Sequence, residues 1–453
     1  MSALWQSGDT IAAVATAQGE AGIAIVRVSG PDARAILEKS FARAVKGAVF
    51  TPRRLYYGHA VDASGADLDE VMAVFLPAPH TYTREDVAEI HCHGGQACAH
   101  AVLNRAFELG ARAARPGEFT LRAFLNGRVD LSQAEAVMQL IGARSGAAQR
   151  AALRQLEGGV SAFVRAAADE LTGILSLIAA ADDFPDEVEE FDAARQVLSR
   201  GGALAGKLRA ALSPGAARVV REGYSVALCG RPNVGKSSLM NALLGQERAI
   251  VTDEAGTTRD AVTERMSYMG IHIELTDTAG QREAATQAEK LGVERARRAA
   301  QSADMVLLVV DGSAPLTDED RALMERLDER YVLVANKCDL GRFALTPPPG
   351  AQKCLSVSAV SGEGVDELRR YICEGAREAS SGGDALCARR HMELVERAVS
   401  DIERALECVR LGYPLDVAAV DLSGALESLM EITGQSASEE LISRVFADFC
   451  VGK

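Results

Sequence analysis

The segment Gly230-Arg-Pro-Asn-Val-Gly235-Lys236-Ser237 follows the apolar run YSVALC (Tyr224 to Cys229) and precedes the helix-forming run KSSLMNALL. That context, strand then glycine-rich loop then helix, is what a phosphate-binding loop requires. Its glycines let the backbone wrap a phosphate, and the loop N–H groups and helix N-terminus present partial positive charge to it. Asn233, Val234, Gly235, Lys236, Ser237 and Ser238 are therefore the expected phosphate contacts. Lys236 would reach the β- and γ-phosphates, and the Ser237 hydroxyl would ligate Mg²⁺.

Two further elements specify the nucleotide. Asp277-Thr278-Ala279-Gly280 ends the strand IHIELT, where a carboxylate can reach the Mg²⁺ shell and a glycine N–H the γ-phosphate. Asn336-Lys337-Cys338-Asp339 ends the strand YVLVANK. A carboxylate there accepts two parallel N–H bonds from guanine, whereas adenine offers an acceptor at the same edge and leaves the charge unpaired. Ser358-Ala359, after another strand, would add a backbone contact to the guanine oxygen. Between these elements Gly256-Thr257-Thr258-Arg259-Asp260 occupies the place of a switch loop, with Thr258 as the expected second Mg²⁺ ligand. No arginine finger is identifiable.

The elements that must position these residues change character along the chain. Residues 1–120 read as mixed strands and helices, with Gly22 to Ser29, Val71 to Leu76 and Val87 to Cys92 as short apolar or alternating runs, which predicts an α+β domain. Residues 121–218 carry Ala, Leu, Gln and Arg at helical spacing. Residues 219–380 alternate strand and helix patterns, the mark of βαβ units on a mostly parallel sheet of the Ras-like P-loop class. Residues 381–453 are helical again after Ser380 to Gly383. The expected organisation is multidomain: an α+β head, one all-α helical domain in two parts, and an α/β module inserted in one of its loops, an insertion that loop-closure entropy penalises only logarithmically.

Composition sets outer limits. The 453 residues are 48% hydrophobic and 25% charged, an ordinary globular balance. A net charge of −14 disfavours a surface that holds nucleic acid by neutralising phosphates, so RNA affinity would be local or supplied by a partner. The longest apolar runs fall short of a bilayer span, and Met1 to Thr10 lacks the pattern of a signal peptide, so a cytoplasmic location is expected. Nine Cys without a C-x-x-C pair predict reduced thiols, most of them small core residues.

At this point the sequence closely resembles the tRNA-modification GTPase family known as MnmE or TrmE. The resemblance rests on Asp9-Thr-Ile-Ala-Ala-Val-Ala-Thr, Gly22-Ile-Ala-Ile-Val-Arg27-Val-Ser-Gly30, Thr83-Arg-Glu-Asp-Val-Ala-Glu89-Ile-His-Cys-His-Gly-Gly95, Arg115 to Arg128, and the terminal Cys450-Val451-Gly452-Lys453. It implies a tetrahydrofolate-binding head, a helical domain and a G domain that dimerises with GTP and K⁺ bound. It also implies a flavoprotein partner of the MnmG (GidA) type in a heterotetramer. Together they would place an aminomethyl or carboxymethylaminomethyl group on C5 of the wobble uridine of certain tRNAs, from 5,10-methylene- or 5-formyl-tetrahydrofolate and an amine donor.

Carried over position by position, the resemblance implies folate contacts from Arg27, Glu89, Arg128 and Lys453. A carboxylate suits the donors of a pterin-like ring and cations suit a glutamate tail. It implies a K⁺ site made by Asn233 with carbonyls of Thr252, Glu254 and Thr257, so that the nucleotide contacts extend over Thr252, Asp253, Glu254, Ala255, Gly256 and Thr257. Glu289 falls where the family has the carboxylate that helps orient the attacking water, and Arg259 and Arg282 where nucleotide state is coupled to dimerisation. Cys450 gains a chemical role, although alone it would read as a buried thiol.

Two positions depart from the family pattern. Gln281 stands where an apolar residue is usual and Ras-like GTPases place a water-orienting Gln. Arg84 stands where Gly is common, and as a non-glycine it is expected at negative φ, with a changed local turn. In His91-Cys92-His93, strand alternation throws Cys92 to the face opposite both histidines, which favours core and pocket lining over a metal site. Two functions follow: an enzyme whose GTP hydrolysis organises one-carbon transfer to tRNA, or a GTP-dependent RNA or ribosome assembly switch with no use for a folate pocket.

Overall fold

The computed structural model describes residues 8–17, 19–43, 50–184, 186, 189–245, 262–277, 303–327, 331–341, 343, 351–381 and 386–452. They divide into two units, one of residues 1–141, 154–205 and 397–453, the other of residues 142–153 and 206–396.

The first unit is built on a sheet of β1 (Ile11–Val14), β2 (Ala21–Ser29), β3 (Phe41–Arg43), β4 (Tyr56–Val61), β5 (Asp67–Leu76), β6 (Val87–Gly94) and β7 (Arg112–Ala113). Their order is β3-β4-β5-β6-β2-β1-β7. Helices Ala33–Ser40 and Gln96–Glu108 supply Ile36, Leu37 and Val102 to the core formed with Val26, Val28, Ile90 and Cys92. Because strand side chains alternate, burying Val26 and Val28 turns Arg27 to the other face, and burying Ile90 and Cys92 does the same for Glu89 and His91. The β2–β6 register then sets Arg27 opposite Glu89.

Helices Gly159–Asp183 and Leu415–Thr433 pack against each other through buried stripes that include Leu171, Ile174 and Ile178 on one and Ala418, Leu422 and Leu429 on the other. Helix Glu439–Ala447, capped by Ser438 accepting from Leu441 N at 3.2 Å, brings Phe446 and Phe449 beside Phe124. Gly452 then lies against the end of β1. Gly452 has φ +95°, and a Cβ there would lie 2.3 Å from the carbonyl oxygen of Val14, so a side chain would lift the segment off.

The second unit carries a sheet of β8 (Tyr224–Cys229), β9 (Val262–Tyr268), β10 (Ile271–Asp277), β11 (Met305–Asp311), β12 (Tyr331–Asn336) and β13 (Ala351–Ser356). The order is β13-β12-β11-β8-β10-β9, parallel except for β9 against β10. Met305 to Val310 and Tyr331 to Asn336 are buried throughout, as interior strands of a parallel sheet must be. Helices Lys236–Leu244 and Val365–Ser380 contribute Leu239, Leu243, Leu368 and Ile372 to the core around β8 and β10. The C-terminal ends of β8, β10, β11 and β12 gather at one sheet edge, the edge where parallel α/β folds bind ligands.

Candidate functional site

At that edge the P-loop is held by backbone features that only certain residues permit. Gly230 has φ +146°, and a Cβ there would meet Val309 O at 2.3 Å. Gly235 has φ +93°, and its absent Cβ would meet Asn336 Nδ2 at 2.4 Å. Asn233 also sits at positive φ, +65°, a conformation Asn tolerates better than most residues. Lys236 is buried, and its ammonium donates to the carbonyls of Gly230 at 2.8 Å and Arg231 at 2.9 Å. Burial pushes its pKa down while the Asp277 charge opposes that.

Ser237 Oγ donates to Asp277 Oδ2 at 2.8 Å, joining the P-loop to the end of β10. Asn336 is the second joint: its Nδ2 donates to Val234 O at 2.9 Å and its Oδ1 accepts from Ala359 N at 3.0 Å. Ser358 Oγ donates to Asp339 Oδ1 at 2.6 Å, which sets the carboxylate expected to read guanine. Lys337, at φ +67°, donates to Asp311 Oδ2 at 2.8 Å. Burial acts to raise the Asp311 carboxyl, but the hydrogen bonds from Lys337 and Ser313 outweigh it and hold the group at about 2. Asp311 belongs to no motif of the sequence. Its only local mark is an acid ending an apolar strand, and the register that places it opposite Asn336 is tertiary.

The described members of the nucleotide set, Asn233 to Ser238, Asp277, Asn336, Lys337, Asp339, Ser358 and Ala359, thus lie on adjoining loops of one sheet edge. Thr252, Asp253, Glu254, Ala255, Gly256, Thr257, Thr258, Arg259, Thr278, Ala279, Gly280, Gln281, Arg282 and Glu289 lie outside the described residues, as does Lys453.

The other set lies in the first unit. Arg27 Nε donates to Glu89 Oε1 at 2.8 Å, both side chains largely buried, and Arg27 Nη1 donates to the carbonyl of Gly452 at 3.5 Å. His91 Nε2 stands 3.5 Å from the other Glu89 oxygen. The His91 interaction lowers the Glu89 pKa most, burial works against it, and the Arg27 charge lowers it further, to about 2. The guanidinium carbons of Arg128 and Arg27 lie 4.7 and 5.8 Å from the centroid of Tyr82, which the sequence reading did not single out. Tyr82 is fixed by a 2.8 Å hydrogen bond between its hydroxyl and Thr120 Oγ1. The arrangement offers one ionised carboxylate and two cations around an aromatic face, groups that suit a flat heterocycle with an anionic tail.

Three expectations are settled by geometry. Arg84 adopts φ +60°, not the negative φ expected of a non-glycine residue. Its Nη1 donates to Asn126 O at 2.9 Å while Asn126 Nδ2 donates to Thr83 O at 2.6 Å, and these bonds offset a left-handed cost of about 1–2 kcal/mol. Cys450 is exposed, so the buried-thiol reading of it fails. Cys92 is buried beneath β2 and its thiol is pushed up to about 11 by burial, whereas His93 faces outward and pairs with Asp69 at 2.7 Å. No group of metal-ligating side chains occurs among the described residues. Five of the nine cysteines are buried.

The acid–base cluster behind Tyr82 was also missed. Arg122, at 6% exposure, donates to Asp9 at 2.5 Å, Glu85 at 3.1 Å and Glu118 at 3.3 Å, tying its own helix Glu118–Leu125 to the segment before β1 and to the 80s loop. Only Glu118 and Arg122, four apart on one helix, carry a spacing signature; Asp9 and Glu85 join them from 113 and 37 positions away.

Comparison with known proteins places both sets in one context. The family model described as GTP-binding protein TrmE N-terminus matches residues 10–128, and that described as MnmE helical domain matches residues 131–450. The tRNA modification GTPase MnmE of Moorella thermoacetica is 44% identical over 461 residues, covering 98% of this chain and 99% of its own. Its counterpart from Lactobacillus delbrueckii subsp. bulgaricus is 42% identical, covering 98% of each chain. That of Chloroflexus aurantiacus is 43% identical, covering 98% of this chain and 100% of its own.

Proposed function

This chain belongs to the MnmE family of tRNA-modification GTPases, and from that premise we propose how its two residue sets divide the work. It is a GTP hydrolase acting in tRNA modification. In the proposed division, the loops of the second unit bind and hydrolyse GTP, and the Arg27–Glu89 site binds a one-carbon tetrahydrofolate.

In the nucleotide site the P-loop N–H groups and Lys236 receive the phosphates, and Asp339 accepts from guanine. The hydroxyl of Ser237 and the carboxylate of Asp277, 2.8 Å apart, form an oxygen pair that fits Mg²⁺, with Thr258 as a further ligand. When bound, the metal neutralises charge between the phosphates. Asn233 and the carbonyls of Thr252, Glu254 and Thr257 would hold K⁺, Glu289 would orient the attacking water, and Arg259 and Arg282 would couple nucleotide state to pairing of G domains in a homodimer.

In the folate site Glu89 binds donors of the pterin, while Arg27, Arg128 and Lys453 bind the glutamate tail. Cys450, exposed three residues from the chain end, is available for chemistry beside it. With a flavoprotein partner of the MnmG type, the complex would transfer the one-carbon unit to C5 of the wobble uridine. No described helix is long and apolar enough to cross a membrane. A cytoplasmic location belongs to the proposal.

The observation that carries this reading is the contact of Arg27 with both Glu89 and the Gly452 carbonyl, which brings Gly452 of the terminal motif to the proposed pocket. A GTP switch without one-carbon chemistry has no use for such a pocket. Calorimetric titration of the intact chain with 5-formyl-tetrahydrofolate tests it; absence of binding removes the folate site from the proposal. Mass analysis of wobble uridine from tRNA incubated with the chain, the flavoprotein, GTP and the folate then identifies the product.

A further inference from the structure

Asp320 is a carboxylate at 1% exposure, an unusual place for a charge. It lies in the first turn of helix Asp318–Arg326, where it completes a capping box with Thr317. Its Oδ2 accepts from Thr317 N at 3.0 Å and Thr317 Oγ1 at 2.8 Å. Those bonds need only an acceptor, which a neutral amide would supply without the desolvation a buried anion suffers. The charge answers a different residue. Arg231 Nε, buried without a hydrogen-bond partner among the described residues, stands 3.3 Å from the same Oδ2 as an ion pair, and the other Asp320 oxygen is buried with no donor.

Arg231 is the second residue of the P-loop, and its carbonyl is one of the two oxygens that hold the Lys236 ammonium. Displacing Arg231 therefore moves an oxygen that aims the lysine expected to grip the phosphates. We propose that Asp320 is a positioning residue for the phosphate site: through Arg231 it fixes the first turn of the P-loop, and so the place of Lys236. The inference rests on the P-loop reading above. Asp320 touches no phosphate itself. It acts from a helix that follows β11, so the loop is braced from outside the nucleotide motifs.

The brace acts on phosphate binding and not on base recognition, because Asp339 and Ser358 stand on other loops. The test uses the full chain and its variants Asp320→Asn, Arg231→Ala, Arg231→Lys and the double Asp320→Asn/Arg231→Ala. Affinities for GDP, GTP and guanosine are measured by calorimetry, and folding is followed by thermal melting. Asp320→Asn keeps the cap acceptor and loses the charge, so it is expected to weaken GDP and GTP about tenfold while leaving guanosine unchanged. Arg231→Ala should do the same, Arg231→Lys should recover most of the loss, and the double variant should be no weaker than either single one. Unchanged GDP affinity in Asp320→Asn overturns the brace, as do equal losses for GDP and guanosine or additive effects in the double variant. Failure of the wild-type chain to hold GDP overturns the P-loop reading itself, and the brace with it.

Discussion

Ser237 Oγ donates to Asp277 Oδ2 at 2.8 Å, so a P-loop hydroxyl and the carboxylate that ends β10 already face each other across the place where a Mg²⁺ ion would share them. Asp277 is 1% exposed and Lys236 5% exposed, and the Asp277 charge opposes the burial that pushes the lysine's pKa down. The pair is preorganised on two rigid elements, the first turn of a helix and the last residue of a strand.

Ser237→Ala removes one of these two oxygens. The expected result is a loss of about tenfold or more in GTP affinity measured with Mg²⁺, and little change when the metal is chelated. Equal affinities for wild type and variant in Mg²⁺ would show that the hydroxyl holds no metal.

Asp339 is held by Ser358 Oγ at 2.6 Å, which leaves its second oxygen and remaining lone pairs for guanine. Asp339→Asn turns part of that acceptor into a donor against guanine N–H groups, so the loss exceeds one neutral hydrogen bond and amounts to about 2–3 kcal/mol. GTP calorimetry gives the number, and an ATP titration shows whether discrimination collapses in parallel.

Asn233, exposed at φ +65° beside Gly235, is the described member of the proposed K⁺ set. GTP turnover should rise when K⁺ replaces Na⁺ at equal ionic strength, and Asn233→Ala should abolish the difference. Indistinguishable rates for the wild type in the two salts contradict the site.

Glu89 carries a pH dependence of definite sign. Its pKa falls from 4.5 when unperturbed to about 2 in the fold, mainly through His91, with burial opposing and Arg27 assisting. A depressed carboxyl contributes stability that is present above its unfolded pKa and lost as pH falls through the folded value. The stability gap between the wild type and Glu89→Gln should therefore be constant from neutral pH down to about 5 and narrow between about 4.5 and 2, with an upper limit of about 3 kcal/mol. Urea unfolding at stepped pH measures it, and a gap independent of pH would mean that His91 and Arg27 together do not favour the ionised Glu89 in the fold.

What could be read in the sequence was local. The P-loop, the strands YSVALC, IHIELT and YVLVANK and the helix KSSLMNALL are each specified by short-range periodicity and glycine placement, and they appear at those positions. The strand Val262–Tyr268 was not anticipated, because VTERMSY has too little apolar alternation to stand out from a loop. Asp311, Asp320 and the Arg122 cluster were illegible for another reason. A charge's partner is chosen by sheet register and helix placement, and Arg122 meets Asp9 across 113 positions. Arg84 failed as a local rule because bonds to residue 126 override its φ preference.

The terminal segment offers the sharpest separation of the two sites. Gly452 is at φ +95° with no room for a Cβ against Val14 O and Ala15 Cα, and its carbonyl meets Arg27. Gly452→Ala should unseat this residue from the end of β1 and withdraw its carbonyl from Arg27, disturbing the terminal motif that the folate proposal relies on. Folate affinity should then fall about tenfold or more, approaching that of a chain ending at Phe449. GTP affinity should not change, because none of the P-loop, guanine-loop or Asp277 contacts involves this segment. Upstream anchors remain in the variant: Phe446 and Phe449 still pack near Gly117, so a loss confined to folate would reflect the last few residues and not the helix before them. Parallel titrations of one preparation with 5-formyl-tetrahydrofolate and GTP decide the matter, and folate binding that survives the substitution removes the terminal segment from the site.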